Sequence, residues 1–153
     1  ERLQILNDYK RIAMVGLSAN AFRPSHFAAI YMLAEGYEVI PVNPRETEIL
    51  GRKCYPSLLK LAEARPNSVD IVDVFRNPAD VPPIVDEAIA IGAKVLWLQL
   101  GVINEAAAEK AIAGGLDVVM DRCVKIEHAR FFGGLNLIGL NTGVISARRL
   151  KNP

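Results

Sequence analysis

The sequence predicts a doubly wound α/β fold, with a mainly parallel sheet of five strands and helices on both faces. Five short runs are almost continuously apolar, as strands of a parallel sheet covered on both sides are. Segments with helical apolar spacing alternate with these runs, and several begin near proline and end at glycine. The predicted strands are residues 12–18 (including a glycine turn), 37–45 (ending in Asn-Pro-Arg), 69–75, 94–101 and 116–121.

The helical segments follow the strands in order. A short leading helix through Leu3, Ile5, Leu6 and Tyr9 is expected to pack over the sheet edge. The later helices are expected at 24–36, closed by Gly36, as a short turn through Leu61 and Ala62, at 81–92, and at 104–113 with Asn104 as N-cap. Residues 47–58, between the second strand and that turn, are predicted to be a loop. This alternation of strands and helices is typical of Rossmann-like sheets.

Length and composition indicate one compact domain over residues 1–153. Of the 153 residues, 51% are hydrophobic and the net charge is +1, so no nucleic acid partner is expected. The two cysteines lack metal-ligand spacing, which favours a reducing, cytoplasmic location. The N-terminal residues carry charges, and no apolar run is long enough to suggest a membrane span.

The ends of the predicted strands supply the candidate site, because carboxyl ends near the reversal of strand order share one crevice. These ends are rich in arginine, amide and small residues. We expect a ligand at Gly16, Leu17, Ser18, Arg23, Ser25, Val42, Asn43, Pro44, Arg45, Phe75, Arg76, Gln99, Gly101 and Val102.

The end of the first predicted strand has the features of an anion-binding site. Gly16 permits a tight turn, and Ser18, Asn20 and Ser25 place polar groups beside the N-terminal amides of the next helix. Arg23 adds a positive charge suited to a pyrophosphate. The alternative is that Gly16 only ends a strand and Ser25 only caps a helix.

The second end indicates which nucleotide is plausible. No G-x-G-x-x-G pattern follows the first strand, and Asn43-Pro44-Arg45 stands where an NAD site needs an acid for the ribose hydroxyls. An arginine there suits a phosphate, either the 2′-phosphate of NADP or the 3′-phosphate of coenzyme A. The alternative is a solvated loop arginine.

The third and fourth ends add Phe75, Arg76 and Gln99. The ring and guanidinium group can flank an adenine or a phosphate, or else Phe75 belongs to the core and Arg76 pairs with a surface acid. Gln99 interrupts an apolar run, so its amide needs partners from a ligand or a neighbouring loop.

Other reactive side chains do not form a convincing catalytic set, and no catalytic or metal-binding residue is predicted. The spacing of Cys123, Glu127 and His128 does not guarantee the hydrogen-bond reach that a Cys-His pair requires. His26 is either a surface residue or a neighbour of the phosphate site. The flanking acids Asp70 and Asp73 suit strand-edge hydrogen bonds better than a metal.

The ordered blocks of this sequence resemble the stand-alone coenzyme A-binding proteins, whose domain is similar to that of the succinyl-CoA synthetase alpha subunit and of ADP-forming acyl-CoA synthetases. The resemblance runs from about Tyr9 to Arg130, which implies a domain core at 9–130 and a C-terminal extension at 131–153. Its carriers are residues 12–18, 23–25, 36–44, 72–76, 97–102 and 119–123, followed by Glu127-His128.

The resemblance implies a pyrophosphate at residues 16–18 and the loop that follows. It also implies adenosine beside 42–45, closure by Phe75 and Arg76, and a pantetheine path along 99–102. The phosphohistidine and ATP-grasp parts of the synthetases have no counterpart here, and His128 does not match that histidine. We therefore expect binding of coenzyme A or acyl-CoA without catalysis. An NADP-binding oxidoreductase-like domain and an interaction module, with the apolar tail after Arg130 forming a homo-oligomer, are the alternatives.

Overall fold

A computed structural model describes residues 2–99, 101–120 and 144–145. The strands are β1 (Arg11–Val15), β2 (Glu38–Val42), β3 (Glu48–Ile49), β4 (Arg52–Lys53), β5 (Ile71–Val74), β6 (Val95–Leu98), β7 (Asp117–Val119) and β8 (Val144–Ile145). The helices are α1 (Arg2–Asp8), α2 (Pro24–Ala34), α3 (Leu58–Ala64), α4 (Val81–Ala90) and α5 (Glu105–Ala113), with a 3₁₀ turn at Pro78–Asp80 before α4.

The main sheet confirms the predicted fold class. Its strand order is β2-β1-β5-β6-β7-β8, and the first five strands run parallel. The short β8 pairs antiparallel with β7 and is a sixth strand that the sequence did not reveal. The chain moves outward from β1 to β2 and then returns to the other side of β1 for β5. The point where strand order reverses therefore lies between β1 and β5.

Each parallel strand is buried on both faces, which explains its almost continuous apolar sequence. On one face Ala13, Val72 and Leu96 belong to a core that includes apolar side chains of α3, α4 and α5. On the other face Met14 and Trp97 belong to a core that includes side chains of α1 and α2. Neither face of β1 or β5 is left to solvent, so only their ends can meet a ligand.

The helix boundaries follow local chemistry, with one correction. Asn104 caps α5 as predicted, because its Oδ1 accepts from the Ala107 amide at 3.0 Å. Gly36 has φ +90 and its amide donates to the Leu33 carbonyl just beyond α2. The N-cap of α2 is Arg23 rather than Ser25, and its side chain makes no capping bond.

Residues 47–58 are more ordered than the predicted loop, because they contain the β3–β4 hairpin. Its two turn residues, Leu50 and Gly51, both have positive φ, as a two-residue hairpin of the I′ type requires. Leucine is an uncommon residue in that conformation, so the sequence carries no clear signal for the hairpin.

The outer side of β2 carries a proline. The Val42 carbonyl faces inward and accepts from the Gly16 amide, whereas the Pro41 carbonyl faces outward and accepts from the Tyr55 amide at 3.1 Å. Because the amide and carbonyl of one strand residue point the same way, the missing N–H of Pro41 lies on the outer side. Pro41 therefore costs the main sheet no hydrogen bond.

Among the helices of the described ranges, none has the length and apolar character needed to cross a bilayer.

Candidate functional site

Gly16, at the end of β1, makes the closest backbone approach of the site. It has φ +88, its amide donates to the Val42 carbonyl at 2.9 Å, and a Cβ here would collide with the carbonyl oxygen of Phe75. The same Cβ would lie 2.9 Å from Cδ of Arg76. Only glycine allows the ends of β1, β2 and β5 to come this close.

The loop from Ser18 to Ser25 is held by its own side chains. Ser25 Oγ accepts from the Ser18 amide at 3.0 Å, and Ser18 Oγ accepts from the Asn20 amide at 3.0 Å. Asn20 Oδ1 in turn accepts from the Phe22 amide. These oxygens therefore shape the loop at the start of α2.

His26 lies beneath this loop and not on the surface. Its side chain is buried, and its Nδ1 lies 2.9 Å from the Ser18 carbonyl oxygen. Because a carbonyl can only accept, Nδ1 carries a proton in this contact. His26 thus helps to fix the backbone at Ser18, where the sequence predicts an anion-binding site.

Asn43 joins the ends of β1 and β2. Its Nδ2 donates to the Leu17 carbonyl at 3.0 Å, and its Oδ1 accepts from the Arg45 amide at 2.9 Å. Its own amide donates to the Tyr55 carbonyl. Asn43 is therefore a brace that sets the positions of the glycine loop and of Arg45.

Three arginines follow three strand ends at this edge. Arg23 and Arg45 are exposed, and neither has an acidic partner within the described ranges. Arg76 Nη2 lies 3.4 Å from Asp80 Oδ2, in a pair whose side chains are 40% and 42% exposed. Such an exposed pair is weak, so an incoming phosphate can replace the carboxylate. The edge is thus suited to an anion with several charges.

An apolar cleft of about 300 Å³ opens beside Arg76, on the side of the sheet covered by α3 and α4. Val42, Pro44 and Arg76 of the predicted site contribute to its walls. Its other walls are not evident from the sequence. They come from the end of β1, from the segment leading into α3, from the 3₁₀ turn and from α4: Val15, Pro56, Ser57, Leu58, Ala79, Asp80, Pro83, Ile84 and Glu87. A helix that follows a parallel strand begins at the carboxyl edge, and that rule could have identified them.

Two residues that the sequence predicts to contact the ligand have side chains that pack into the core. Leu17 is completely buried in the core beneath α2, so only its backbone faces the loop region. Phe75 is half-buried and packs against that same core, which agrees with the core alternative considered for it. Its carbonyl oxygen, next to Gly16, remains at the crevice.

At the end of β6, the Gln99 side chain bonds to a residue of the neighbouring strand. Its Nε2 donates to Oδ1 of Asp73 in β5. Asp73 is completely buried, so the expectation that it makes strand-edge bonds is wrong. Gly101 is exposed with φ +85, and the amide of the mostly buried Val102 donates to the Gln99 carbonyl at 2.8 Å.

The remaining candidates give no second site. Asp70 does form strand-end bonds: Arg11 donates from Nε and Nη2 to its two carboxylate oxygens, which lowers the pKa of Asp70. Cys54 is buried, and that burial raises the pKa of its thiol. Within the described residues no His, Cys, Asp and Glu cluster could hold a metal. Cys123, Glu127, His128 and the tail at 131–143 lie outside the described residues.

The fold and this crevice define a doubly wound α/β domain of the kind that binds ligands where strand order reverses. The family model of the CoA binding domain matches residues 10–129, and the chain therefore belongs to that family. This confirms the resemblance seen in the sequence blocks.

Individual relatives agree with this assignment. The protein YneT of Bacillus subtilis (strain 168) is 41% identical over 126 residues, which cover 82% of this chain and 90% of YneT. A solved protein of Pyrococcus horikoshii OT3 superimposes with a TM-score of 0.79 at 43% identity, covering 84% of this chain and 88% of that one. ADP-forming acetate–CoA ligase II of Archaeoglobus fulgidus is 30% identical over 87 residues, which are 56% of this chain but 12% of the ligase.

Proposed function

We propose that this protein binds coenzyme A or an acyl-CoA in the crevice at the carboxyl ends of β1, β2, β5 and β6, without chemistry of its own. The observation that carries the proposal is the close approach of the Gly16 turn to Arg76 beside an apolar cleft, in a chain of the CoA binding domain family. The exposed Arg23 and Arg45 follow the ends of the neighbouring strands β1 and β2. Coenzyme A combines a base, a 3′-phosphate, a pyrophosphate and a long uncharged arm. Each part has a chemically suitable neighbour along this edge.

The proposed arrangement places the adenine in the cleft and the 3′-phosphate at Arg45. Pro44 and Ile84 offer apolar walls, and Arg76 offers a planar cation that can stack on a base. The pyrophosphate would lie over the Gly16 turn and the start of α2, with Arg23 as counter-charge. The pantetheine arm would pass Gln99, Gly101 and Val102.

We infer binding without catalysis from the small part of the ligase that this chain matches. The part of the acetate–CoA ligase that this chain resembles is 12% of that enzyme. A protein that only carries or senses a ligand needs the binding domain of such an enzyme and not its catalytic domains.

Calorimetric titration tests the proposal most directly. We expect coenzyme A and acetyl-CoA to bind at sub-millimolar concentration, NADP more weakly, and NAD not at all. Adenosine 3′,5′-bisphosphate and adenosine 2′,5′-bisphosphate form a matched pair, because they differ only in the phosphate position that separates coenzyme A from NADP. Preference for the 2′,5′ isomer would instead favour the NADP-binding alternative, and failure of coenzyme A to bind would refute the proposal.

A further inference from the structure

Asp73 is an unusual residue for the centre of a parallel sheet. It pairs in register with Met14 of β1 and Trp97 of β6, which are both completely buried and apolar. Asp73 itself has no exposed surface, and this burial raises its pKa to about 8. Burial therefore favours the neutral form of this carboxyl group at physiological pH.

The hydrogen bonding of Asp73 is incomplete. Oδ1 accepts from Gln99 Nε2, but Oδ2 is buried without a hydrogen-bond partner among the residues that the structure describes. A buried polar atom without a partner costs free energy, whereas replacing both members of a hydrogen-bonded pair by apolar groups of similar shape is close to neutral. Stability alone does not explain why the sheet contains this pair.

Gln99 connects Asp73 to the candidate site. It directly follows β6, its amide donates to the Val74 carbonyl of β5 at 3.3 Å, and its carbonyl accepts from the Val102 amide. We call Gln99, Gly101 and Val102 the β6 exit. Since β6 is two strands from β1, the β6 exit lies roughly 10 Å along the sheet edge from the Gly16 turn.

We propose that Asp73 is a positioning residue for the pantetheine end of the site: by anchoring the Gln99 side chain inward, it fixes the β6 exit against which the arm of coenzyme A lies. This role rests on the proposed function. The arm carries two amide groups, which are matched by backbone amides and carbonyls only if these are held in place. Asp73 contacts no ligand and acts through Gln99.

Comparing coenzyme A with a ligand that lacks the pantetheine arm distinguishes a positioning role of Asp73 from a role in overall stability. Adenosine 3′,5′-bisphosphate lacks the pantetheine arm, so calorimetric titration of coenzyme A against the bisphosphate isolates the arm. The variant Asp73→Asn keeps an oxygen that can accept from Gln99, whereas Asp73→Leu removes it. Because Asp73→Leu leaves the Gln99 amide buried without that acceptor, the double variant Asp73→Leu, Gln99→Leu is measured as well, with urea denaturation as the check of folding.

We expect both leucine variants to bind coenzyme A about tenfold more weakly, the size of effect that one hydrogen bond provides. Their affinity for the bisphosphate should be unchanged, and Asp73→Asn should match wild type for both ligands. Unchanged coenzyme A affinity in the leucine variants, or an equal loss for both ligands, would overturn the positioning role alone. If wild-type protein binds neither ligand, the proposed function fails as well.

Discussion

Asn43 Nδ2 donates a hydrogen bond to the carbonyl oxygen of Leu17 at 3.0 Å, and this contact joins the exits of β1 and β2. The two residues are 26 positions apart in the chain. Both sides of the amide are used, because Oδ1 also accepts from the Arg45 amide. A single side chain thus couples the glycine loop to the arginine that we assign to the 3′-phosphate.

Asn43→Asp is therefore expected to destabilise the protein by about 1–3 kcal/mol at neutral pH, although the side chain keeps its size. Aspartate still accepts from the Arg45 amide, but its second oxygen faces the Leu17 carbonyl without a proton to share. Urea denaturation measures the change. Asn77→Asp is the control, since Asn77 makes no side-chain capping bond. Equal stability of the two variants would show that the contact contributes nothing.

Gly16→Ala is expected to lower both stability and coenzyme A affinity. The alanine would adopt φ +88 and collide with the Phe75 carbonyl, so the cost should exceed the 1–3 kcal/mol that roughly accompanies positive φ alone. Gly36→Ala is a matched control with φ +90 and no atom within 4 Å of the added Cβ. Denaturation and titration of both variants separate strain from collision. A loss no greater than that of Gly36→Ala would argue against the close approach.

Arg45→Ala is expected to weaken coenzyme A about tenfold by removing a charge-assisted bond to the 3′-phosphate. Dephospho-coenzyme A lacks that phosphate and should bind wild type and variant alike. Arg52→Ala is the control, because Arg52 is also exposed but lies on β4, in a hollow along the outer edge of β2. Equal weakening of the two ligands by Arg45→Ala would refute the assigned role.

Stability should fall as pH rises because of Asp73. Its pKa is raised by burial from 3.8 to about 8, so between these values the folded state keeps a proton that the unfolded state has lost. Below about pH 4 the carboxyl group is protonated in both states, and its contribution is fully present. Above that point the free energy of unfolding should decrease by up to about 1.4 kcal/mol per pH unit, until the folded pKa is passed.

The comparison that isolates this effect is Asp73→Asn, which cannot titrate. Urea denaturation of both proteins from pH 5 to 9 should show a difference that grows in favour of the variant and levels off above about pH 8. Asp70, whose pKa Arg11 lowers, is ionised in both the folded and the unfolded state over this range, and it is common to both proteins. A constant difference across this range would mean that Asp73 is already ionised in the folded state.

The sheet was predictable from sequence because strands buried on both faces are almost continuously apolar, as in Ile71–Val74 and Val95–Leu98. The arginines after the strand ends were found for a similar reason, since chain order places them at one edge. The side-chain pairs across that edge could not be predicted. Nothing in the spacing of Asp73 and Gln99 indicates a bond between two strands, and the cleft walls near Pro56 and Ile84 depend on how α3 and α4 pack.

Pro41 affects how this protein meets its neighbours at high concentration. An open sheet edge with unused amide groups can template the addition of a strand from another molecule, which is how many aggregates begin. At this edge the proline offers no donor and its carbonyl is already bonded to Tyr55. Addition of a strand from a second molecule is therefore disfavoured at the carboxyl end of β2, where the outward groups of Pro41 and Asn43 are either missing or already bonded to Tyr55.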